Sequence, residues 1–220
     1  MFEESSILIR SFPFLLQGAF ATLQIALVSM AIGVCGGILV GILNCHKMRT
    51  KYSGIALNSF IWMIRGTPLF VQVLIVYYAL PEILGISLSP FTAGTIALGV
   101  NSMAYISEIV RGGINAISEG QWEAAHVIGL KPWQTMQGII MPQMFGITLP
   151  SLTNELTALI KETSILMVIG VAELTKVSKD IVVRELDPMT IYLAAAGLYL
   201  VMTSSVAWLA KYTQKKEGKL

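Results

Sequence analysis

Between Gln17 and Leu43 the chain carries no acidic or basic side chain, and a run of that kind constrains the fold more than anything else in the sequence. About 20 consecutive apolar residues are what a helix needs to cross the hydrocarbon core of a bilayer, whereas a soluble helix of that length keeps a polar face. Four further stretches qualify: Ile55 to Leu80, Phe91 to Val110, Leu149 to Val171 and Met189 to Leu209. Composition points the same way. Of 220 residues, 55% are hydrophobic and 13% charged, with a mean hydropathy of +0.70, which argues against an ordinary soluble domain. The predicted fold class is all-α: a polytopic membrane protein of about five transmembrane helices, forming a single domain over residues 1–220.

Other function classes find little support. Net charge is +2, and the basic residues are scattered without aromatic interleaving, so no nucleic-acid partner is expected and membrane lipid is. Cys35 and Cys45 have neither CxxC spacing nor a His cluster beside them, and His46 and His126 are isolated, so neither a metal site nor a catalytic base is indicated. The N-terminal MFEESSILIRSFPF places two acids before its only base, unlike a cleavable signal peptide, so the first span is expected to be retained.

Lys and Arg concentrate in cytoplasmic loops of membrane proteins. Nine of them (Lys47, Arg49, Lys51, Arg111, Lys131, Lys211, Lys215, Lys216 and Lys219) fall on one side of the predicted spans, and four (Arg10, Lys176, Lys179 and Arg184) on the other. The N-terminus is therefore expected outside and the C-terminus in the cytoplasm.

Between the third and fourth spans, residues of the cytoplasmic stretch at about 112–146 are too polar to cross and too regular for a floppy linker. Glu119 to Ile128 is good helix-forming sequence, Gly129 stands where a left-handed cap would end it, and Lys131-Pro132 suits a new first turn. Two short helices meeting at Gly129 would present the small Ala124 and Ala125 for close approach by another protein. In span one, Gly33, Gly37 and Gly41 form overlapping small-xxx-small patterns suited to close helix packing.

Here the spacing becomes specific. Glu123-Ala124-Ala125, three residues, Gly129, nine residues and Ile139-Ile140-Met141-Pro142 resemble the EAA motif of ABC importer permeases, with Met141 in place of the usual Leu. LLQGAFATLQ, RGTPLFVQ, AYISEIVRGG, TNELTALIKETS and IGVAELT, in that order, resemble the polar amino acid uptake branch of the family; Met103 in NSMAY stands where a smaller residue is expected. The resemblance covers nearly the whole chain. It implies a type I importer permease of the bacterial inner membrane that works as a homodimer or as a heterodimer with a sister permease. It also implies two ATP-binding cassette ATPase subunits, docked through Glu123, Ala124, Ala125 and Gly129, and an extracytoplasmic amino acid binding protein. The chain has no GxxxxGK[ST] phosphate loop, so ATP would act on the separate subunit and no cofactor or catalytic residue is expected here.

Ionisable residues within a span cost about 2.5 to 3.5 kcal/mol on insertion scales and normally face a cavity or a partner. Glu155 and Glu162, seven residues apart, fall within about 20° of each other on an ideal helix and make a carboxylate stripe that suits a cationic substrate group. Asn154, Thr157 and Lys161 occupy a neighbouring face, expected to meet protein. A structural reading stays open: Glu155 near the cytoplasmic interface, and Glu162 neutralised by Lys161 or Arg65. Arg65-Gly66-Thr67-Pro68 interrupts span two, and a broken helix at membrane depth is buried or lines water. The resemblance places Thr67 against the substrate, while Arg65 either joins that path or pairs with a carboxylate beside a simple kink. An ion-coupled secondary transporter would also place acids at midplane but usually shows internal repeats, and a channel-like subunit needs neither the acid pair nor the loop. The expected substrate is a polar amino acid, with basic ones such as arginine, lysine or histidine, and also glutamine, in view.

Overall fold

The computed structural model describes residues 2–216, with side chains from Ile7 to Tyr212. Lys219 of the basic tail lies outside the described residues. Among these residues the secondary structure is helical, and its order is α1 (Phe2–Leu43), α2 (Lys51–Arg65), α3 (Leu69–Leu74), α4 (Leu80–Leu84), α5 (Pro90–Asn115), α6 (Glu119–Val127), α7 (Pro132–Thr135), α8 (Met141–Glu162), α9 (Leu174–Glu185) and α10 (Pro188–Lys216). Short π-helical turns over Ile75–Ala79 and Met136–Ile140 lead into α4 and α8, and a 3-10 turn over Thr163–Ile169 follows α8.

Helix boundaries follow local chemistry. Ser89 caps α5 by accepting from the Thr92 N–H at 3.1 Å, with Pro90 as the first helical residue. Asp187 does the same for α10, accepting from the Thr190 N–H at 3.2 Å ahead of Pro188. The predicted span two divides into α2 and α3. Thr67 precedes a proline and so avoids helical geometry, and Pro68 has no N–H to continue the ladder.

Two predicted boundaries move. Helix α1 starts well before Gln17, because the apolar stretch from Ile7 continues the pattern through Pro13. Helix α8 starts at Met141, inside the stretch assigned to the loop, and stops at Glu162 instead of reaching Val171. There the Thr163 and Ser164 hydroxyls donate to the Ile160 and Lys161 carbonyls at 2.9 and 2.7 Å, and the chain tightens to 3-10 until Gly170, at φ +85°, ends it. One helix is unforeseen. Between spans four and five, α9 buries Leu174, Ser178 and Ile181 along one side.

The chain forms two compact units. Among the described residues, the first comprises 2–30, 68–99 and 156–216 and holds an apolar core that includes Leu15, Ile25, Leu98, Leu159, Leu166, Leu174 and Ile191, all fully buried. The second comprises residues 31–67 and 100–155. In it, the C-terminal half of α1 lies against α5 so closely that a Cβ on Gly37 would sit 2.7 Å from the Ile106 Cβ, and one on Gly41 would sit 2.7 Å from the Ser107 carbonyl oxygen. The small-residue pattern thus marks a real crossing. Gly36 leaves room for the Met103 side chain, so the larger residue in NSMAY is accommodated from across the interface.

Gly41→Leu is expected to destabilise this crossing by about 1 to 3 kcal/mol, the usual cost of overpacking. Gly54→Ala, whose Cβ would meet only the Arg49 Cδ at 3.6 Å, serves as the control. Thermal unfolding of both in detergent, followed by size-exclusion chromatography, checks this; equal midpoints would remove the packing role.

Candidate functional site

The end of α2 belongs to the second unit. Thr67 is exposed, and its hydroxyl donates to the Met63 carbonyl at 2.9 Å, closing the last helical turn. Arg65, the last residue of α2, lies 5.0 Å from the centre of the Tyr105 ring and 3.8 Å from a Glu108 carboxylate oxygen. Glu108 also takes two hydrogen bonds from Arg111, at 2.8 and 2.6 Å. Of the two sequence readings of Arg65, carboxylate pairing is therefore present, yet 42% of the Arg65 side chain remains accessible. Pairing and exposure coexist.

Glu155, also in the second unit, is half-buried, and its Oε1 accepts the Ser102 hydroxyl at 2.7 Å. Ser102 itself is fully buried, and a Cβ on Gly33 would sit 2.8 Å from its oxygen. The close approach of α1 to α5 thus encloses the group that holds Glu155. Glu162 belongs to the first unit, where it is half-buried as the last residue of α8.

The EAA stretch has the predicted local structure. Gly129 adopts φ +81°, its N–H donates to the His126 carbonyl at 3.0 Å, and the Leu130 N–H reaches the Ala125 carbonyl at 3.0 Å. This is a Schellman turn, which a glycine in the left-handed region favours. One expectation is corrected. Ala124 is exposed with Glu123, but Ala125 is 1% accessible and packs inward, because neighbouring positions on a helix point about 100° apart. The most exposed large apolar residues of the stretch are Val127 and Ile128, at 84% and 73%.

Lys47, from the α1–α2 connection, pairs with Glu119 in the first turn of α6 at 2.7 Å and holds its carboxyl below the usual carboxylate range. Beside it lies a cavity of about 290 Å³ lined by Lys47, Trp122, Glu123, His126, Leu130, Pro132 and Thr135.

Sequence reasoning passed over Glu173. It is fully buried in the first unit, accepts from the Thr175 and Lys176 N–H groups at 2.8 Å each, and takes the Tyr199 hydroxyl at 3.0 Å. A glutamate cap is harder to see in a sequence than the usual Ser, Thr, Asp or Asn. The visible signal was an acid followed by Leu174, Ser178 and Ile181 at helical spacing.

The profile of the family described as binding-protein-dependent transport system inner membrane component matches residues 33–219. The chain belongs to this family. The probable amino-acid ABC transporter permease protein YckA of Bacillus subtilis (strain 168) is 40% identical over 208 residues, covering 94% of this chain and 91% of the relative. The glutamine transport system permease protein GlnP of Escherichia coli (strain K12) is 36% identical, with 93% of each chain covered. A crystal structure of an amino acid ABC transporter with histidines superposes with a TM-score of 0.86 at 34% identity, covering 95% of this chain and 96% of the other. The inward-facing MetNI methionine ABC transporter shares the fold, with a TM-score of 0.82 at 17% identity over 92% and 95%.

The protein is thus an ABC importer permease of the polar amino acid family, with the type I permease fold in a multi-pass membrane protein. It is a transport subunit and not an enzyme. The family that the EAA spacing resembles is the family found.

Proposed function

We propose that the permease forms the translocation pathway of an ATP-driven importer of polar amino acids, as one transmembrane domain paired with itself or with a sister permease. Its N-terminus lies outside and its C-terminus in the cytoplasm, and it receives substrate from an extracytoplasmic binding protein. The α6–α7 corner docks on an ATPase subunit, and Glu123, Ala124, Ala125 and Gly129 build that corner. One observation carries the coupling reading: Val127 and Ile128 are large, apolar and almost fully exposed at the end of a helix closed by the Gly129 turn. Large apolar groups displayed together on a short, well-capped helix are what a partner groove recognises.

Arg65, Thr67, Glu155 and Glu162 line the substrate path, with the two carboxylates favouring a cationic group. Relatives named for glutamine and arginine transport, among them the ArtQ protein of Bacillus subtilis at 34% identity, support a polar amino acid as substrate. Closing of the two ATPase subunits on ATP would move the α6–α7 corners inward and shift the pathway from inward-open to outward-open, as rigid-body movements do in other switching proteins.

Reconstitution into vesicles with the ATPase and the binding protein is expected to give uptake of labelled arginine or glutamine that needs ATP and both partners. Uptake driven by a cation gradient without ATP, or flux without the ATPase, would overturn the reading.

A further inference from the structure

Two residues of α5 hold the end of α2 in an unusual way. Arg65 receives an aromatic face from Tyr105, its ring centre 5.0 Å away, and an electrostatic contact from Glu108 at 3.8 Å, beyond hydrogen-bond length. Glu108 spends its stronger, two-pronged contact on Arg111. Arg65 is therefore held by its position over the ring together with Glu108, which fixes the side from which it approaches. In the last turn of α2, Trp62 and Met63 are 79% and 54% exposed, while Ile64 is half-buried. Beyond Arg65 the chain passes directly to Gly66, Thr67 and the proline that ends helical geometry.

The Thr67 hydroxyl binds back to Met63, one turn earlier. Its direction is thus tied to that turn, and the Arg65 side chain links the turn to α5. The sequence AYISEIVRGG places Tyr105 and Glu108 three apart on α5, which brings both to the same face.

We propose that Tyr105 and Glu108 are positioning residues for the substrate path: by gripping Arg65 they set the direction in which the Thr67 hydroxyl is presented. This inference rests on the reading of Thr67 as a substrate-path residue. Neither Tyr105 nor Glu108 need touch substrate. Their loss acts on the affinity with which the path receives it.

The test is uptake of labelled arginine and glutamine by the whole complex in vesicles, for wild type, Thr67→Val, Tyr105→Leu, Tyr105→Phe and Glu108→Gln. Tyr105→Leu is expected to raise KM about two- to fivefold, the range that the loss of a cation–π contact at an exposed site converts to, with the maximal rate and the amount of assembled complex unchanged. Tyr105→Phe keeps the aromatic face and restores the wild-type KM. Glu108→Gln raises KM in the same direction, and carries the test if the leucine variant fails to assemble. Equal effects of Leu and Phe at position 105, or a fall in maximal rate with KM unchanged, would overturn the proposal. A raised KM in Thr67→Val with no change in the Tyr105 and Glu108 variants would overturn it alone, whereas an unchanged KM in Thr67→Val removes the substrate-path reading and this proposal with it.

Discussion

Gly129→Val is expected to strip the ATPase from the permease during purification in detergent and to abolish most ATP-dependent uptake, while the membrane spans stay folded. Gly129 sits at φ +81°, with nothing within 4 Å of where a Cβ would be, so crowding is not the obstacle. Backbone conformation is. A β-branched residue in the left-handed region is strained by about 1 to 2 kcal/mol, which lowers the ratio of intact to opened turn by roughly 5- to 30-fold. The turn joins α6 to α7 through the Leu130 to Ala125 hydrogen bond, and it fixes how Val127 and Ile128 project. Gly129→Asn separates shape from size, because asparagine tolerates this region better; its ATPase co-purification is expected to lie between wild type and valine. Undiminished co-purification and uptake in the valine variant would end the docking role assigned to this corner.

The spans and the Gly129 corner were legible because their signals are local. A long apolar run announces α1, α5 and α10 without reference to the rest of the chain, and a glycine after a helix-forming stretch announces the Gly129 cap. What escaped depends on partners distant in sequence. Ser102 is one serine among several until Glu155, 53 residues later, is placed against it. Glu173 reads as a loop acid until Tyr199 arrives from α10. Glu108 and Arg111 look like a helix-end ion pair, and nothing local says that Arg65 of another helix joins them. The inward turn of Ala125 escaped for a related reason: composition marks a small residue, but which side of a short helix faces the protein depends on what packs beneath it. Even the start of α8 was hidden, because the polar residues near Met141 belong to a helix whose early part continues beyond the apolar run.

Glu155→Gln separates the charge of the carboxylate from its hydrogen bond. Ser102 donates to Oε1 at 2.7 Å, and a glutamine carbonyl oxygen accepts the same bond, so the packing at α5 is retained while the negative charge is lost. If the carboxylate meets a cationic substrate group, uptake efficiency for arginine should fall about 10- to 150-fold, the range corresponding to loss of a hydrogen bond between charged groups. Uptake of glutamine, which carries no side-chain charge, should fall much less. Glu162→Gln, measured separately, asks the same of a residue in the first unit, and the comparison decides whether one carboxylate or both discriminate. Glutamate uptake completes the series, because removing a negative charge should not weaken an acidic substrate. Labelled uptake of all three amino acids at matched ATPase content checks this. An equal loss for all three would mean that Glu155 is needed for the path to form or move, and that selectivity is set elsewhere, with the binding protein the remaining place for it.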